Sequence, residues 1–280
     1  MESMSPLKLY LLCPQWGFER MDIELFLHKV KEDGYDGVDM VVPFEKKQRN
    51  RLRQLLEAYD LKIVSHQHQA TGQNIIDFCH SYNYFLNLSA EVAPLLINSH
   101  SGRDYFSLYE HLKVLDTAAE FENNTGYEVV HETHRGRMLH SPGTAKELFD
   151  LRSDFQITAD LSHWVCVTES YLENERFTPI LNEAIRRTRH IHARVGFPEG
   201  PQVPDPRHPY YLEATQYFIN FWSAILEYQN KLGTAILSVT PEFGPPPYMW
   251  TRLEDNAPVA SQWEINLYIQ QLFKKLLQVI

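Results

Sequence analysis

Apolar positions along the chain fall into two alternating rhythms. Short runs, apolar throughout or nearly so, recur at intervals, and between them apolar residues are spaced three and four apart. The runs are KLYLLC (8–13), GVDMVV (37–42), KIVSHQ (62–67), PLLINSH (94–100), EVVHET (128–133), QITADLS (156–162), HIHARV (190–195) and AILSVTPEF (235–243). The spaced stretches include Ile23, Phe26, Leu27 and Val30, then Leu52, Leu55, Leu56 and Tyr59, then Phe177, Ile180, Leu181 and Ala184. Each is the stripe of a helix lying against a sheet. Gly34 and Gly233 stand where two such helices should stop, and the stretch from Ser261, with Trp263, Leu267, Leu272 and Leu276, reads as a last helix.

Eight strands alternating with helices, each strand apolar enough to be covered on both faces, predict an α/β protein. The strand count favours closure into a (β/α)8 barrel over an open doubly wound sheet. With no linker, repeat or low-complexity tract, residues 1–280 are expected to form a single domain. No GxGxxG or GxxxxGK loop follows any strand, which weakens a nucleotide-binding reading. The Pro-rich pieces GFPEGPQVPDPRHPYY and PEFGPPPYMW follow the seventh and eighth strands and are read as long loops.

Composition narrows the partners. A formal net charge of −10, without a Lys/Arg run long enough to make a basic groove, argues against nucleic acid and anionic membranes. Three cysteines, Cys13, Cys79 and Cys166, are odd in number and lack CxxC spacing, so neither a disulfide framework nor a thiolate zinc site is expected. No long apolar span and no basic-then-apolar start is present, and a cytoplasmic protein is expected. Homo-oligomerisation is left open.

In such a barrel the carboxyl ends of the strands share one rim, where chemistry is done. Here those ends supply His66 and His68, His100, Glu132 and His134, Asp160 and His163, His192 and Arg194, and Glu242. No comparable series marks the strand starts. Three carboxylates and an imidazole aimed at one axis repel one another unless a cation sits among them. A carboxylate-rich site with one imidazole suits one divalent ion, Mn2+ or Mg2+ before Zn2+.

HETH, ADLSHW, HIHAR and TPEFGP, in this order on strands five to eight, resemble the xylose isomerase-like TIM barrels. That superfamily includes sugar and sugar-phosphate isomerases, ketose 3-epimerases, hydroxypyruvate isomerase, inosose dehydratase and endonuclease IV. The resemblance implies Glu132, Asp160, His192 and Glu242 as metal ligands and Glu132 and Glu242 as the acid/base pair of a carbohydrate isomerase or epimerase working through an enediolate. It gives His163 a substrate-binding role. The epimerases place an Arg six residues after the ligand His, where this chain has Pro198, so Arg194 is the substitute. His100, His66, Trp16 and Arg135 complete the expected substrate contacts, and Trp164, Phe243 and Trp250 are further candidates for an apolar wall.

Two alternatives stand beside this. Loss of hydroxide after the same proton abstraction would make an inosose-type dehydratase. Histidines at His66 or His68 and His100, with Asp205 and His208 after strand seven, also resemble the extra ligands of endonuclease IV, a metal-dependent phosphodiesterase. A barrel that binds metal or sugar without catalysis is the third class.

Overall fold

In the computed structural model, which describes residues 7–279, eight parallel strands close into a barrel in chain order. The first six residues, part of the stretch in which no targeting signal is read, lie outside the described residues, as does Ile280. The strands are β1 (Lys8–Pro14), β2 (Gly37–Met40), β3 (Lys62–Gln67), β4 (Ile97–Ser99), β5 (Val129–Glu132), β6 (Gln156–Ala159), β7 (Thr188–His192) and β8 (Ile236–Thr240). The ring closes where β1 pairs with β8, Lys8 opposite Ile236 and Leu11 opposite Val239. Around it run α1 (Ile23–Glu32), α2 (Lys46–Ala58), α3 (Ile75–Ala90), α4 (Leu108–Thr125), α5 (Pro142–Leu151), α6 (Leu161–Thr168), α7 (Thr178–Arg187), α8 (Leu212–Leu232) and α9 (Gln262–Leu277). Among the described residues no helix is long and apolar enough to cross a membrane.

Each run read as a strand contains one, but several strands stop earlier than their runs. QITADLS ends as a strand at Ala159, because Asp160 caps α6, its carboxylate accepting from the Ser162 amide at 3.1 Å. HIHARV and AILSVTPEF likewise leave the sheet at His192 and Thr240. Gly34 and Gly233 both take positive φ just after α1 and at the end of α8. Ser261 caps α9 as expected, yet the fully buried face of that helix is Ile265, Ile269 and Phe273, while Trp263, Leu267, Leu272 and Leu276 pack only partly buried beside it.

Side chains on a strand alternate between faces, and one parity of this barrel faces the bore. Tyr10, Leu12, Val64, Leu96 and Val130 form a compact apolar cluster of their own, separate from the core between strands and helices. Two residues further along each of three of those strands stand His66, Asn98 and Glu132. A layer of hydrocarbon therefore plugs the bore and a polar layer sits directly above it. Burying such side chains contributes about 1.5–3 kcal/mol each, which offsets part of the cost of holding the polar layer out of water.

Candidate active site at the carboxyl end of the barrel

Glu132, Asp160, His192 and Glu242 meet above the plug, their ligand atoms all within 4.8 Å of one another and every one of them buried. Atoms bound 2.0–2.2 Å from one ion lie roughly 3–4.4 Å apart, so the spacing suits a single divalent cation. Register explains the meeting: Glu132 pairs with Thr158 and His192 with Thr240, so Asp160 and Glu242 follow as the next residues of inward parity. Three atoms in this space, His192 Nδ1, Glu132 Oε1 and Glu242 Oε2, are buried without a hydrogen-bond partner. Buried polar atoms normally find partners, and this donor set, three carboxylates and one imidazole, fits a hard or borderline metal ion.

The imidazole of His192 is held in a fixed orientation. Its Nε2 donates to Asp39 Oδ2 at 2.9 Å, which leaves Nδ1 facing Glu242 Oε2 at 2.9 Å and Glu132 Oε2 at 3.4 Å. The same Asp39 oxygen lies 3.3 Å from His190 Nε2 and accepts from Thr240 Oγ1 at 3.0 Å. Burial opposes the Asp39 charge, but bonds to both histidines hold its carboxyl far below the usual carboxylate range. A carboxylate behind a ligating histidine fixes both its tautomer and its ring orientation. Asn98 does similar work for Glu132, donating to Oε2 at 2.8 Å.

Arg194 reaches into the same layer. Its Nη2 donates to Asp160 Oδ2 and lies 3.0 Å from Glu242 Oε2 and 3.2 Å from His163 Nε2. Burial raises the Asp160 carboxyl, and even against the pull of Arg194 it stays at about 6. Burial also works against the Glu242 charge, but His192 and Arg194 outweigh it and keep that carboxyl below its ordinary value. Above Asp160 and Glu242 the guanidinium lies 5.7 Å from the Trp16 ring and 5.0 Å from the Tyr248 ring, within cation–π range of both.

Over this layer opens a cavity of about 270 Å3, lined among others by Trp16, Asp39, His66, His68, His100, His134, Arg137, Arg194, Glu242 and Tyr248. His66, His100, His134 and His163 follow one another ring to ring around part of the rim, with centroids 4.5, 4.3 and 3.8 Å apart. Burial keeps His100 and His163 neutral and brings His134 to about 4. Of the residues expected from sequence, His66, His100, Trp16, Arg194 and Glu242 line the cavity. Glu132, Asp160, His192 and His163 lie beneath it, at most 1% exposed. Arg135 is exposed and stacks on Tyr248 at 5.4 Å, facing an outer groove shared with Phe197 and Trp250. Trp164 and Phe243 are fully buried.

Sequence reasoning passed over Asp39, Asn98 and Tyr248. Asp39 carried a signal: a lone carboxylate inside GVDMVV has no reason to sit in a covered strand unless something in the bore receives it.

Trp16 is seated on a glycine. A Cβ on Gly244 would come within 2.2 Å of its ring carbon Cη2. Gly244→Ala is therefore expected to push the indole out of its 5.0 Å edge contact with Tyr248, at a cost of about 1–3 kcal/mol. A shifted tryptophan emission spectrum and a lower Tm would report it; an unchanged spectrum would show that the indole is not held there.

No protein-family model and no curated protein matches the sequence. Solved structures do match by fold. The 3-keto-D-glucoside 4-epimerase YcjR from E. coli superposes with a TM-score of 0.59 at 15% identity, covering 95% of this chain and 100% of that one. A probable 3-DHS dehydratase, AsbF, from Bacillus anthracis gives 0.60 at 13%, covering 95% and 99%. An AP endonuclease, family 2, from Brucella melitensis gives 0.56 at 13%, covering 86% and 94%. With the closed eight-stranded parallel barrel, these likenesses identify the fold as a (β/α)8 TIM barrel.

Proposed function

We propose that the protein is a divalent-metal-dependent isomerase or epimerase of a small sugar or sugar phosphate, acting by proton transfer through an enediolate. The observation that carries this reading is the buried set Glu132, Asp160, His192 and Glu242 gathered under a sugar-sized cavity, with three of its polar atoms making no hydrogen bond. Likeness in fold to a 3-keto-D-glucoside 4-epimerase and a probable 3-DHS dehydratase adds support.

The four residues would hold Mn2+, Mg2+ or Zn2+, which supplies Lewis acidity toward a carbonyl and its neighbouring hydroxyl. Glu242, kept ionised by His192 and Arg194 and set in the cavity wall, takes the proton from the carbon beside the carbonyl. For an epimerisation, Glu132, whose Oε1 is free, would first pick up a proton from solvent and return it from the other side, while Glu242 releases the proton it took to solvent. Arg194 donates to the oxygen on which negative charge grows, and His163 holds that guanidinium in place. Trp16 and Tyr248 offer ring faces to the C–H side of a sugar.

Two measurements test the reading together. Metal content should be about one ion per chain and should fall in both Glu132→Gln and Asp160→Asn. The metal-loaded protein in D2O should then place deuterium beside the carbonyl of at least one ketose, keto-glycoside or sugar phosphate in a panel. Loss of water from the substrate would instead indicate the dehydratase; a metal-free protein with no exchange would sink the proposal.

One observation favours a second reading. His66, His100 and Glu132 also bring ligand atoms within 4.8 Å of one another, and His66 Nε2 and His100 Nδ1 are buried without partners. Glu132 is common to both clusters, so two ions bridged by one carboxylate would fit a phosphodiesterase. Two ions per chain with cleavage of a phosphodiester would establish it.

A further inference from the structure

The cations of the cavity differ in how they are satisfied. Arg194 engages Asp160 and Glu242 through Nη2 and leaves only its buried Nη1 without a partner. Arg137, on the loop after β5, lines the same cavity half-buried, and among the described residues no carboxylate lies within ion-pair distance of it and no side-chain hydrogen bond is made by its guanidinium. Its surroundings make this costly. The nearby Arg103 is a second cation, committed to the carbonyls of Gly102 and Ala70, and His68, at about 4, is neutral like His134. Burial and Arg103 both lower the Arg137 guanidinium, while Glu132, the carboxylate whose charge it feels most, is already engaged by Asn98 and His100. A partly desolvated guanidinium with its forked donors unused, facing a cavity, is a preformed oxyanion receptor.

We propose that the substrate carries an oxyanion group, carboxylate or phosphate, and that Arg137 grips it on the β3–β5 side of the cavity while the reacting carbons lie by Glu242. The assignment rests on the proposed function, which makes this cavity the substrate site. It excludes neutral sugars as preferred substrates and makes Arg137 the residue that sets specificity. Arg135, two residues earlier, is directed to the outer groove and is not part of the grip.

The test is calorimetric titration of the full chain, freed of metal on a chelating resin, with inorganic phosphate and separately with malonate. One saturable site is expected for at least one anion, and the tighter of the two names the group. Arg137→Gln should weaken that binding by roughly tenfold or more. Arg137→Lys should retain phosphate better than malonate, because a point charge serves phosphate while a planar fork matches carboxylate. Lys146→Gln, an exposed cation on α5 paired with Asp150, should change nothing. Absence of a saturable site up to on the order of 100 mM, or equal affinity in wild type and Arg137→Gln, overturns the proposal. If Arg137→Gln lowers Tm, Arg137→Lys alone decides through its phosphate-to-malonate ratio, an unchanged ratio counting against the grip. Metal content in the same preparations keeps the two ideas separate: a chain that takes up no metal fails the isomerase reading whatever the anions do.

Discussion

Glu242→Gln is expected to lower turnover, on any substrate found in the panel, by roughly 10²–10⁴-fold. Glutamine keeps the shape and one neutral donor oxygen, and Glu132, Asp160 and His192 remain to hold an ion. What disappears is the carboxylate proposed to take a proton in the cavity wall. Deuterium exchange should fall in step with turnover when metal is saturating, whereas a role limited to holding the ion would be rescued by excess metal. Folding should be little affected, since the amide can still meet Arg194 through its oxygen. Turnover within tenfold of wild type at saturating metal would remove Glu242 from the proton-transfer scheme.

Asp39→Asn should weaken metal binding by about 10–100-fold without removing any ligand. Asp39 ties together β2, β7 and β8 by contacting His190, His192 and Thr240 through one oxygen. A neutral amide is a weaker acceptor, and its NH2 would oppose the ring N–H of His192 if rotated. The ring would then be free to turn Nδ1 away from Glu132 and Glu242. Cobalt(II) titration followed by visible absorption separates this from simple destabilisation, because a disordered imidazole changes the ligand-field bands as well as the affinity. Asp39→Ala goes further: three buried donors lose an acceptor, at a cost of about 1–3 kcal/mol for each left unpaired. Unaltered cobalt affinity in Asp39→Asn would show that His192 needs no support.

The strand order and the closed barrel could be read from the sequence because two rhythms alternated, helical stripes separating apolar runs. Glu132, Asp160, His192 and Glu242 stood out as polar residues at or just past strand ends, and the resemblance carried by HETH, ADLSHW, HIHAR and TPEFGP singled them out as one set. Strand ends were less legible, since a run such as AILSVTPEF stays apolar after the last ladder bond is made. Asp39 and Asn98 were missed for a different reason. They lie inside strands rather than after them, so a search confined to polar residues at strand ends passed over them. Arg137 stands five residues after Glu132, but whether it meets a carboxylate or faces a cavity depends on the fold of the loop, for which local sequence offers no period. For Arg135 the decisive neighbour, Tyr248, is more than a hundred residues away in the chain.

The ring–cation–ring arrangement of Trp16, Arg194 and Tyr248 also gives the cavity a direction. It clamps together segments that follow β1, β7 and β8, and Gln262 at the head of α9 adds a bond to the Trp16 carbonyl. Opening that side would break several contacts at once. The facing wall is a row of imidazoles with Arg137, built on β3, β4 and β5. Any widening of the mouth is therefore expected first on the histidine side, where Arg137 stands.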